Sequence, residues 1–228
     1  TTQSAERQKN RAQKDMEGGS ENMDFSTELR RQRLVAIVRG SDADASFRTV
    51  MALVESGIPL VEVSLTGAGA LDVIRRARAE LGTDAWLGAG TVCTVEDAAQ
   101  AVQAGANLIV TPGLGPGVDE SVRRGLPVLA GALTPTEVIA AVAAGATALK
   151  IFPASTAGGL SYLKALRGPF PEVPFVPVGG VDVPTARDYL ALGVTAVGVG
   201  SPLIGDAADG GDLAALRQRA AEFRAVCG

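Results

Sequence analysis

The 228-residue sequence contains no histidine, and its only cysteines are Cys93 and Cys227. The absence of histidine excludes the commonest general base, the commonest metal ligand, and nucleophile pairs of the Ser-His or Cys-His type. Two cysteines make neither a disulfide framework nor a zinc site, and they fit a reducing compartment. Any catalysis must therefore use other side chains.

Positive net charge and long apolar runs are also lacking. The net charge is −4 and the isoelectric point is near 5.0, so no general attraction to nucleic acid or anionic membranes is expected. No apolar run approaches the roughly 18 residues that span a bilayer, and no signal-peptide pattern opens the sequence. We therefore expect a soluble cytoplasmic protein that binds neither nucleic acid nor membrane. Any anionic ligand must be held by a local site.

The first 24 residues contain no valine, leucine, isoleucine or aromatic residue. They mix acidic with basic side chains and are interrupted by Gly18-Gly19-Ser20. Such a segment cannot bury enough apolar surface to offset the entropy lost on ordering. We predict a disordered polar extension over residues 1–24 and one folded domain over residues 25–228.

From residue 25 onward, apolar runs of strand length alternate with segments of helical length. Strands are predicted at residues 34–38, 60–65, 85–87, 108–110, 127–129, 146–152, 174–177 and 195–199. Helices are predicted at residues 44–55, 70–81, 95–103, 118–123, 136–143, 160–166, 184–191 and 213–226. This alternation indicates repeated βαβ units and a parallel sheet. Eight strands in a domain of about 200 residues favour an α/β fold of the (β/α)8 TIM-barrel type. A doubly wound sheet is less favoured, because the first turn carries no dinucleotide-binding fingerprint.

Five predicted helices end in the same way, with a capping glycine followed by a buried strand. These glycines are Gly57, Gly105, Gly125, Gly145 and Gly193. Counting five residues on from each one reaches Glu62, Val110, Ala130, Lys150 and Gly198. In aligned strands, such positions share one face and a similar height. We therefore predict that Glu62 and Lys150 both point into the barrel near its C-terminal mouth, where barrel enzymes place their chemistry.

Lys150 lies in the apolar run Ala148-Leu149-Lys150-Ile151-Phe152-Pro153. Burial disfavours the charged form of a lysine, and a neutral amine can attack a carbonyl to form a Schiff base. The alternative is a strand-end lysine that extends its amine to water. The predicted register favours the catalytic interpretation, because a buried Lys–Glu pair is a weak device for stability alone.

Candidate binding residues follow four other predicted strands. The guanidinium of Arg39 suits a carboxylate, although a solvated strand-end arginine is an equally good interpretation. Thr91 follows Gly88-Ala89-Gly90, where small residues allow close approach of a ligand or only the packing of a helix. The loops after strands seven and eight of barrels commonly bind phosphate through backbone N–H groups, and here they contain Gly179-Gly180 and Gly200-Ser201.

These segments resemble the class I 2-keto-3-deoxy-6-phosphogluconate (KDPG) and 6-phosphogalactonate (KDPGal) aldolases. The resemblance implies a trimeric (β/α)8 barrel that cleaves a phosphorylated keto-deoxy sugar acid to pyruvate and glyceraldehyde 3-phosphate, without a metal ion or cofactor. Seven motifs carry it in order: Val35-Ala36-Ile37-Val38-Arg39-Gly40, Val61-Glu62-Val63-Ser64-Leu65, Gly88-Ala89-Gly90-Thr91-Val92, Ile109-Val110-Thr111-Pro112-Gly113, Ala148-Leu149-Lys150-Ile151-Phe152-Pro153, Val178-Gly179-Gly180-Val181 and Gly198-Val199-Gly200-Ser201.

By position, the resemblance makes Lys150 the Schiff-base lysine and Glu62 the general acid/base. It places Arg39 and Thr91 around the pyruvyl carboxylate of the substrate. The positions that match the phosphate site are Gly179, Gly180, Gly200 and Ser201.

The sequence departs from the gluconate-type branch of that family at two positions. That branch usually carries arginine where this sequence has Thr66, and often threonine where it has Val178. Relatives that act on the galactonate epimer lack the arginine, so carboxylate binding would depend more on Arg39. These departures favour the galactonate-type branch, and the preferred epimer stays open.

Two other functions stay open beside the aldolase. Another phosphate-binding barrel, such as a sugar-phosphate isomerase or a thiamin-phosphate-type synthase, would share the glycine loops but need no Schiff-base lysine. A non-catalytic assembly scaffold would keep an oligomer and bind no keto acid, since a fold does not determine a function.

Overall fold

The computed structural model of the protein describes residues 24–228. Its strands are β1 (Leu34–Val38), β2 (Val61–Ser64), β3 (Leu87–Gly90), β4 (Leu108–Val110), β5 (Val128–Ala132), β6 (Ala148–Ile151), β7 (Phe175–Pro177) and β8 (Val197–Val199). Its helices are α1 (Phe25–Gln32), α2 (Ala43–Glu55), α3 (Ala70–Leu81), α4 (Val95–Ala104), α5 (Pro116–Arg123), α6 (Pro135–Ala143), α7 (Gly159–Arg167), α8 (Val183–Leu192), α9 (Ser201–Ile204) and α10 (Leu213–Cys227), with a short 3-10 helix at Ala207–Asp209.

The eight strands form one parallel sheet in which β1 to β7 pair in chain order and β8 pairs with β1. A parallel bridge between Val178, just after β7, and Gly198 in β8 joins the two ends of the sheet. The chain therefore folds as a single (β/α)8 TIM barrel, which confirms the predicted fold class. Within residues 24–228, no helix combines the length and the hydropathy that a membrane crossing requires.

Alternate residues of each strand face two separate apolar regions. One set packs against the surrounding helices, and the other fills the interior of the barrel. Successive side chains of a strand point to opposite faces, so a strand buried on both sides must be apolar throughout. The interior set includes Val35, Leu60, Leu108, Leu129 and Val176.

Helix α1 closes the N-terminal end of the barrel interior. Its Phe25 and Leu29 join the interior cluster, and the Phe25 ring meets the Trp86 ring edge-on with 5.0 Å between centroids. The sequence analysis predicted no helix here, because α1 is short and mostly polar. The predicted disordered extension over residues 1–24 lies outside the described residues apart from Asp24, and it stays a prediction.

Glycine-rich strands differ most from the predicted boundaries. Strand β3 runs from Leu87 to Gly90 instead of over residues 85–87, and β5 extends to Ala132 instead of ending at residue 129. Glycine is depleted in strands in general, so both predicted strands ended before the glycines that the observed strands contain. In this barrel the glycines make room for neighbouring atoms, as described below.

The predicted register is wrong at Ala130. This residue packs in the outer cluster, toward the helices, whereas Leu129 lies in the interior cluster. Gly131 is the residue that pairs with Lys150 in β6. A Cβ on Gly131 would come within 2.2 Å of the backbone carbonyl carbon of Pro112. An equal distance from a helix cap does not determine the face of a side chain, because a change of one residue in the connection reverses the alternation.

Candidate active site

The carboxyl group of Glu62 is enclosed in the barrel interior. Glu62 lies in β2, two residues after the interior Leu60, and it is 2% exposed. Its Oε2 atom has no hydrogen-bond partner within residues 24–228. Burial raises the pKa of Glu62, and the nearby amine of Lys150 opposes this effect without cancelling it. The group therefore holds a proton at higher pH than an ordinary glutamate, which suits a general acid/base.

Strand β3 provides the space that Glu62 occupies. Gly88 lies opposite Glu62 in the sheet, and Gly90 lies opposite Ser64. A Cβ on Gly88 would lie 3.2 Å from the Cβ of Glu62, and one on Gly90 would lie 2.9 Å from its carboxyl carbon. Both glycines therefore leave room for the Glu62 side chain, a role that neither interpretation of Gly88-Ala89-Gly90 anticipated.

Lys150 points into the same interior from β6. It lies two residues after the interior Ala148 and is 7% exposed, so most of its aliphatic chain is buried. Its Nζ lies 5.3 Å from the ring centroid of Phe152, which is half-exposed at the mouth. Glu62 interacts electrostatically with this amine, yet no ion pair joins the two within the described chain. The predicted shared face of Glu62 and Lys150 is confirmed.

Three hydroxyl groups form a chain next to Glu62. Ser64 Oγ lies 2.9 Å from Thr66 Oγ1 and 2.9 Å from Thr91 Oγ1. Ser64 is buried, whereas Thr66 is exposed. Thr91 has φ of 60°, a left-handed conformation that is rare for a β-branched residue. The sequence analysis missed Ser64, although its spacing of two from Glu62 placed both residues on one face of the strand.

Arg39 follows β1 directly and is exposed at the C-terminal end of the barrel. Within residues 24–228 its guanidinium makes no hydrogen bond or ion pair. The loop behind it is held firmly, because Ser41 donates from its backbone N and its Oγ to Asp209 at 2.6 and 2.8 Å. A fixed backbone and an unengaged guanidinium leave Arg39 able to meet an anion at the mouth.

The two glycine loops meet at the ends of β7 and β8, where the Val178–Gly198 bridge joins them. Gly179 and Gly180 have φ of 102° and 69°, so both need the left-handed conformation that glycine tolerates. Within the described chain, the N–H groups of Gly180 and Ser201 have no hydrogen-bond acceptor. Free N–H groups at such positions are suited to an anion.

All the predicted site residues thus lie at the C-terminal ends of strands or inside the barrel. Lys150 and Glu62 lie in the interior, Thr91 is linked to β2 through Ser64, and Arg39 lies at the rim. A family model described as KDPG and KHG aldolase matches residues 25–218. The chain belongs to this aldolase family.

Individual relatives agree with the family match. The 2-dehydro-3-deoxy-phosphogluconate aldolase of Haemophilus influenzae is 33% identical over 165 residues, which cover 72% of this chain and 77% of that protein. A probable 2-dehydro-3-deoxy-6-phosphogalactonate aldolase of Rhizobium meliloti is 35% identical over 189 residues, which cover 82% and 87% of the two chains. A solved 4-hydroxy-2-oxoglutarate/2-dehydro-3-deoxyphosphogluconate aldolase is 36% identical with a TM-score of 0.78, over 90% of this chain and 100% of that one.

The comparisons confirm the predicted family and the prediction of an aldolase, a lyase of carbon–carbon bonds. They favour this activity over the isomerase, the synthase and the non-catalytic scaffold that the sequence analysis left open. The roles of individual residues are not tested by them and are argued below.

Proposed function

We propose that this aldolase works through a Schiff base on Lys150, with Glu62 as the residue that moves protons. The observation that carries the proposal is the enclosure of both side chains in one barrel interior, coupled electrostatically but not joined as an ion pair. A lysine amine that is not held in an ion pair is free to attack a carbonyl carbon and form a Schiff base.

In the first half of the reaction, the amine of Lys150 adds to the C2 carbonyl of a 2-keto acid. The carbinolamine loses its hydroxyl as water, with the proton supplied by Glu62, and an iminium forms. Burial raises the pKa of Glu62, and this direction of shift favours a carboxyl that donates a proton. Glu62 is then a carboxylate beside a cationic iminium.

In the second half, the iminium withdraws electrons from the C3–C4 bond. The C4 hydroxyl gives its proton to the Glu62 carboxylate as the bond breaks, which releases an aldehyde and leaves an enamine on Lys150. Protonation of the enamine at C3 and hydrolysis of the resulting iminium free pyruvate and restore the amine. The iminium is the electron sink throughout, so the scheme uses no metal ion or cofactor.

The substrate in this proposal is 2-keto-3-deoxy-6-phosphogluconate or its galactonate epimer, cleaved to pyruvate and D-glyceraldehyde 3-phosphate. Arg39 and Thr91 would hold the carboxylate, which the unengaged guanidinium of Arg39 supports. The phosphate would bind the loops after β7 and β8, which the free N–H groups there support. The residues of this phosphate site are Gly179, Gly180, Gly200 and Ser201.

The galactonate epimer is the better candidate of the two. Thr66 and Val178 occupy positions where the gluconate-type branch usually carries arginine and often threonine. Comparison of kcat/KM for the two epimeric phosphates decides between them.

We also propose a cytoplasmic homotrimer. Helix α6 exposes Ile139 and Val142 on one face, with 61% and 51% of their surfaces accessible in the single chain. Exposed apolar residues three apart on a helix form a small patch that a second copy could cover. Both cysteines are free, which agrees with a reducing compartment.

Borohydride trapping with pyruvate, followed by peptide mass spectrometry, tests the central step. A reduced pyruvyl adduct on Lys150 is expected, together with loss of turnover and of the adduct in Lys150→Ala. Lys164→Ala is the matched control, since Lys164 is exposed on α7 and should leave both intact. Normal turnover in Lys150→Ala, or an adduct only on another lysine, would end the proposal.

A further inference from the structure

Among residues 24–228, Ser64 is the one residue whose side chain hydrogen-bonds to both the Thr66 and the Thr91 hydroxyl. Its Oγ is 2.9 Å from the hydroxyl of Thr66 and 2.9 Å from that of Thr91, and the residue is 3% exposed. Within the described residues, Ser64 is the only hydrogen-bond partner of the Thr91 hydroxyl. The three hydroxyls therefore form one chain that runs from the exposed Thr66 through the buried Ser64 to Thr91.

A hydroxyl has one proton to donate, so the three groups cannot be oriented independently. Ser64 can donate to only one threonine, and when it does so it accepts from the other. A continuous chain of donors therefore has two directions, one from Thr66 toward Thr91 and one the reverse. In the first direction the Thr91 hydroxyl proton is free to bind a ligand, and in the second the Thr66 hydroxyl proton is free.

A ligand carboxylate at Thr91 would select one of these directions. A carboxylate only accepts hydrogen bonds, so Thr91 would donate to it, Ser64 would donate to Thr91, and Thr66 would donate to Ser64. Hydrogen bonds in such a chain polarise one another, which strengthens the terminal donor. The left-handed backbone at Thr91, with φ of 60°, shows that its neighbours hold this residue in a costly conformation.

We infer that Ser64 is a positioning residue that aims the Thr91 hydroxyl at the carboxylate of the keto acid. This inference rests on the proposed function, which places Thr91 at the pyruvyl end of the substrate. Ser64 touches no reacting atom itself. It should therefore affect the binding of the keto acid and leave the aldehyde and its phosphate unaffected.

The test uses the condensation direction, in which pyruvate and glyceraldehyde 3-phosphate are separate substrates. Ser64→Ala should raise the KM for pyruvate about three- to tenfold, the range for loss of one hydrogen bond. The KM for glyceraldehyde 3-phosphate and kcat should change by less than about twofold. The pyruvate concentration that half-saturates borohydride trapping should shift with the KM, and Ser64→Thr should restore both.

A double-mutant cycle tests whether Ser64 and Thr66 act together as one hydrogen-bonded chain or make independent contributions to pyruvate binding. Thr66→Ala should weaken pyruvate binding less than Ser64→Ala, and the double variant should be no worse than Ser64→Ala, because Thr66 acts through Ser64. Ser121→Ala is the matched control. Ser121 is fully buried and donates to the Gly117 carbonyl at 2.6 Å, so its loss should lower stability without shifting pyruvate saturation.

The outcomes distinguish this inference from the proposed function. Absence of any pyruvate adduct in the wild-type protein would overturn both the Schiff-base mechanism and the role of Ser64. An adduct on Lys150 with an unchanged pyruvate KM in Ser64→Ala would overturn only the role of Ser64. Equal increases in the KM of both substrates, or additive effects of the two substitutions, would also overturn it.

Discussion

The replacement of Glu62 by glutamine should stabilise the protein, and the gain should grow with pH. Burial raises the pKa of Glu62 above its value of 4.5 in an unfolded chain. The folded state then binds a proton that the unfolded state has released, so wild-type stability falls as pH rises between the two pKa values. Glutamine has nearly the same shape and does not ionise, so the variant escapes this loss.

The size of the effect follows from proton linkage. Within the window above pH 4.5, one proton of difference changes the free energy of unfolding by at most about 1.4 kcal/mol per pH unit. In a chain of this length, that corresponds to a change in Tm of about 3–6 °C per pH unit. The difference between Glu62→Gln and wild type should be constant below pH 4.5, rise through the window, and level off above the pKa of the folded state.

Thermal unfolding of both proteins, followed by circular dichroism from about pH 2 to 9, measures this difference. Loss of the attraction to Lys150 shifts the stability difference between the two proteins by an offset. The burial of the carboxyl is reported by the slope of this difference against pH. Glu120→Gln is a control in which the stability difference should depend on pH in the opposite direction. Arg123 and Arg124 lower the pKa of Glu120 to about 2. That variant should be less stable than wild type above pH 4.5, with the difference shrinking as pH falls.

A flat difference between Glu62→Gln and wild type would refute the reasoning. It would mean that the carboxyl titrates alike in the folded and unfolded states, despite its enclosure. A wild type that gains stability relative to the variant as pH rises would show that pairing with Lys150 outweighs burial. The proposed proton donor would then be a carboxylate from the start.

Two glycine substitutions distinguish a role in stability from a role in catalysis. Gly131→Ala tests the packing of the barrel, and Gly90→Ala tests the position of the Glu62 carboxyl. Gly131→Ala places a methyl group 2.2 Å from the backbone of Pro112, which cannot move freely, and should cost about 3 kcal/mol in urea unfolding; a loss below about 0.5 kcal/mol would contradict this packing. Gly90→Ala places a methyl group 2.9 Å from the carboxyl carbon of Glu62, a side chain that can turn aside. It should lower kcat at least tenfold at nearly normal stability, and unchanged kcat with a folded protein would show that the position of Glu62 is not critical.

Several features of the fold were predictable because contiguous residues encode them. The strand Leu34–Val38 and the helix Ala70–Leu81 have the predicted bounds, since apolar runs and helical periodicity are local patterns. The glycine that ends α4, Gly105, has φ of 104°, as its capping role requires. The interior position of Lys150 and Glu62 also followed from counting along the strands.

Other features depend on contacts between strands that are distant in sequence. Strand β3 contains two glycines and is a poor strand by composition, yet it pairs with β2 and β4, and its glycines leave the space that Glu62 occupies. The interior face of β5 was predicted at Ala130 and lies at Gly131, since pairing with β6 determines which residue faces Lys150. The hydroxyl partners of Ser64 lie in the segments that follow β2 and β3, so its contacts are defined only when these two strands pair.

The sequence by itself determined the barrel, the family and the two ionisable groups of the interior. It could do so because hydrophobic alternation, helix caps and short motifs are properties of neighbouring residues. Only the tertiary structure decided that Glu62 is enclosed without an ion pair among residues 24–228, that the Thr91 hydroxyl contacts Ser64, and that Gly131 pairs with Lys150. Burial, pKa and cross-strand register arise from groups brought together across the whole barrel, and no single segment of the chain contains them.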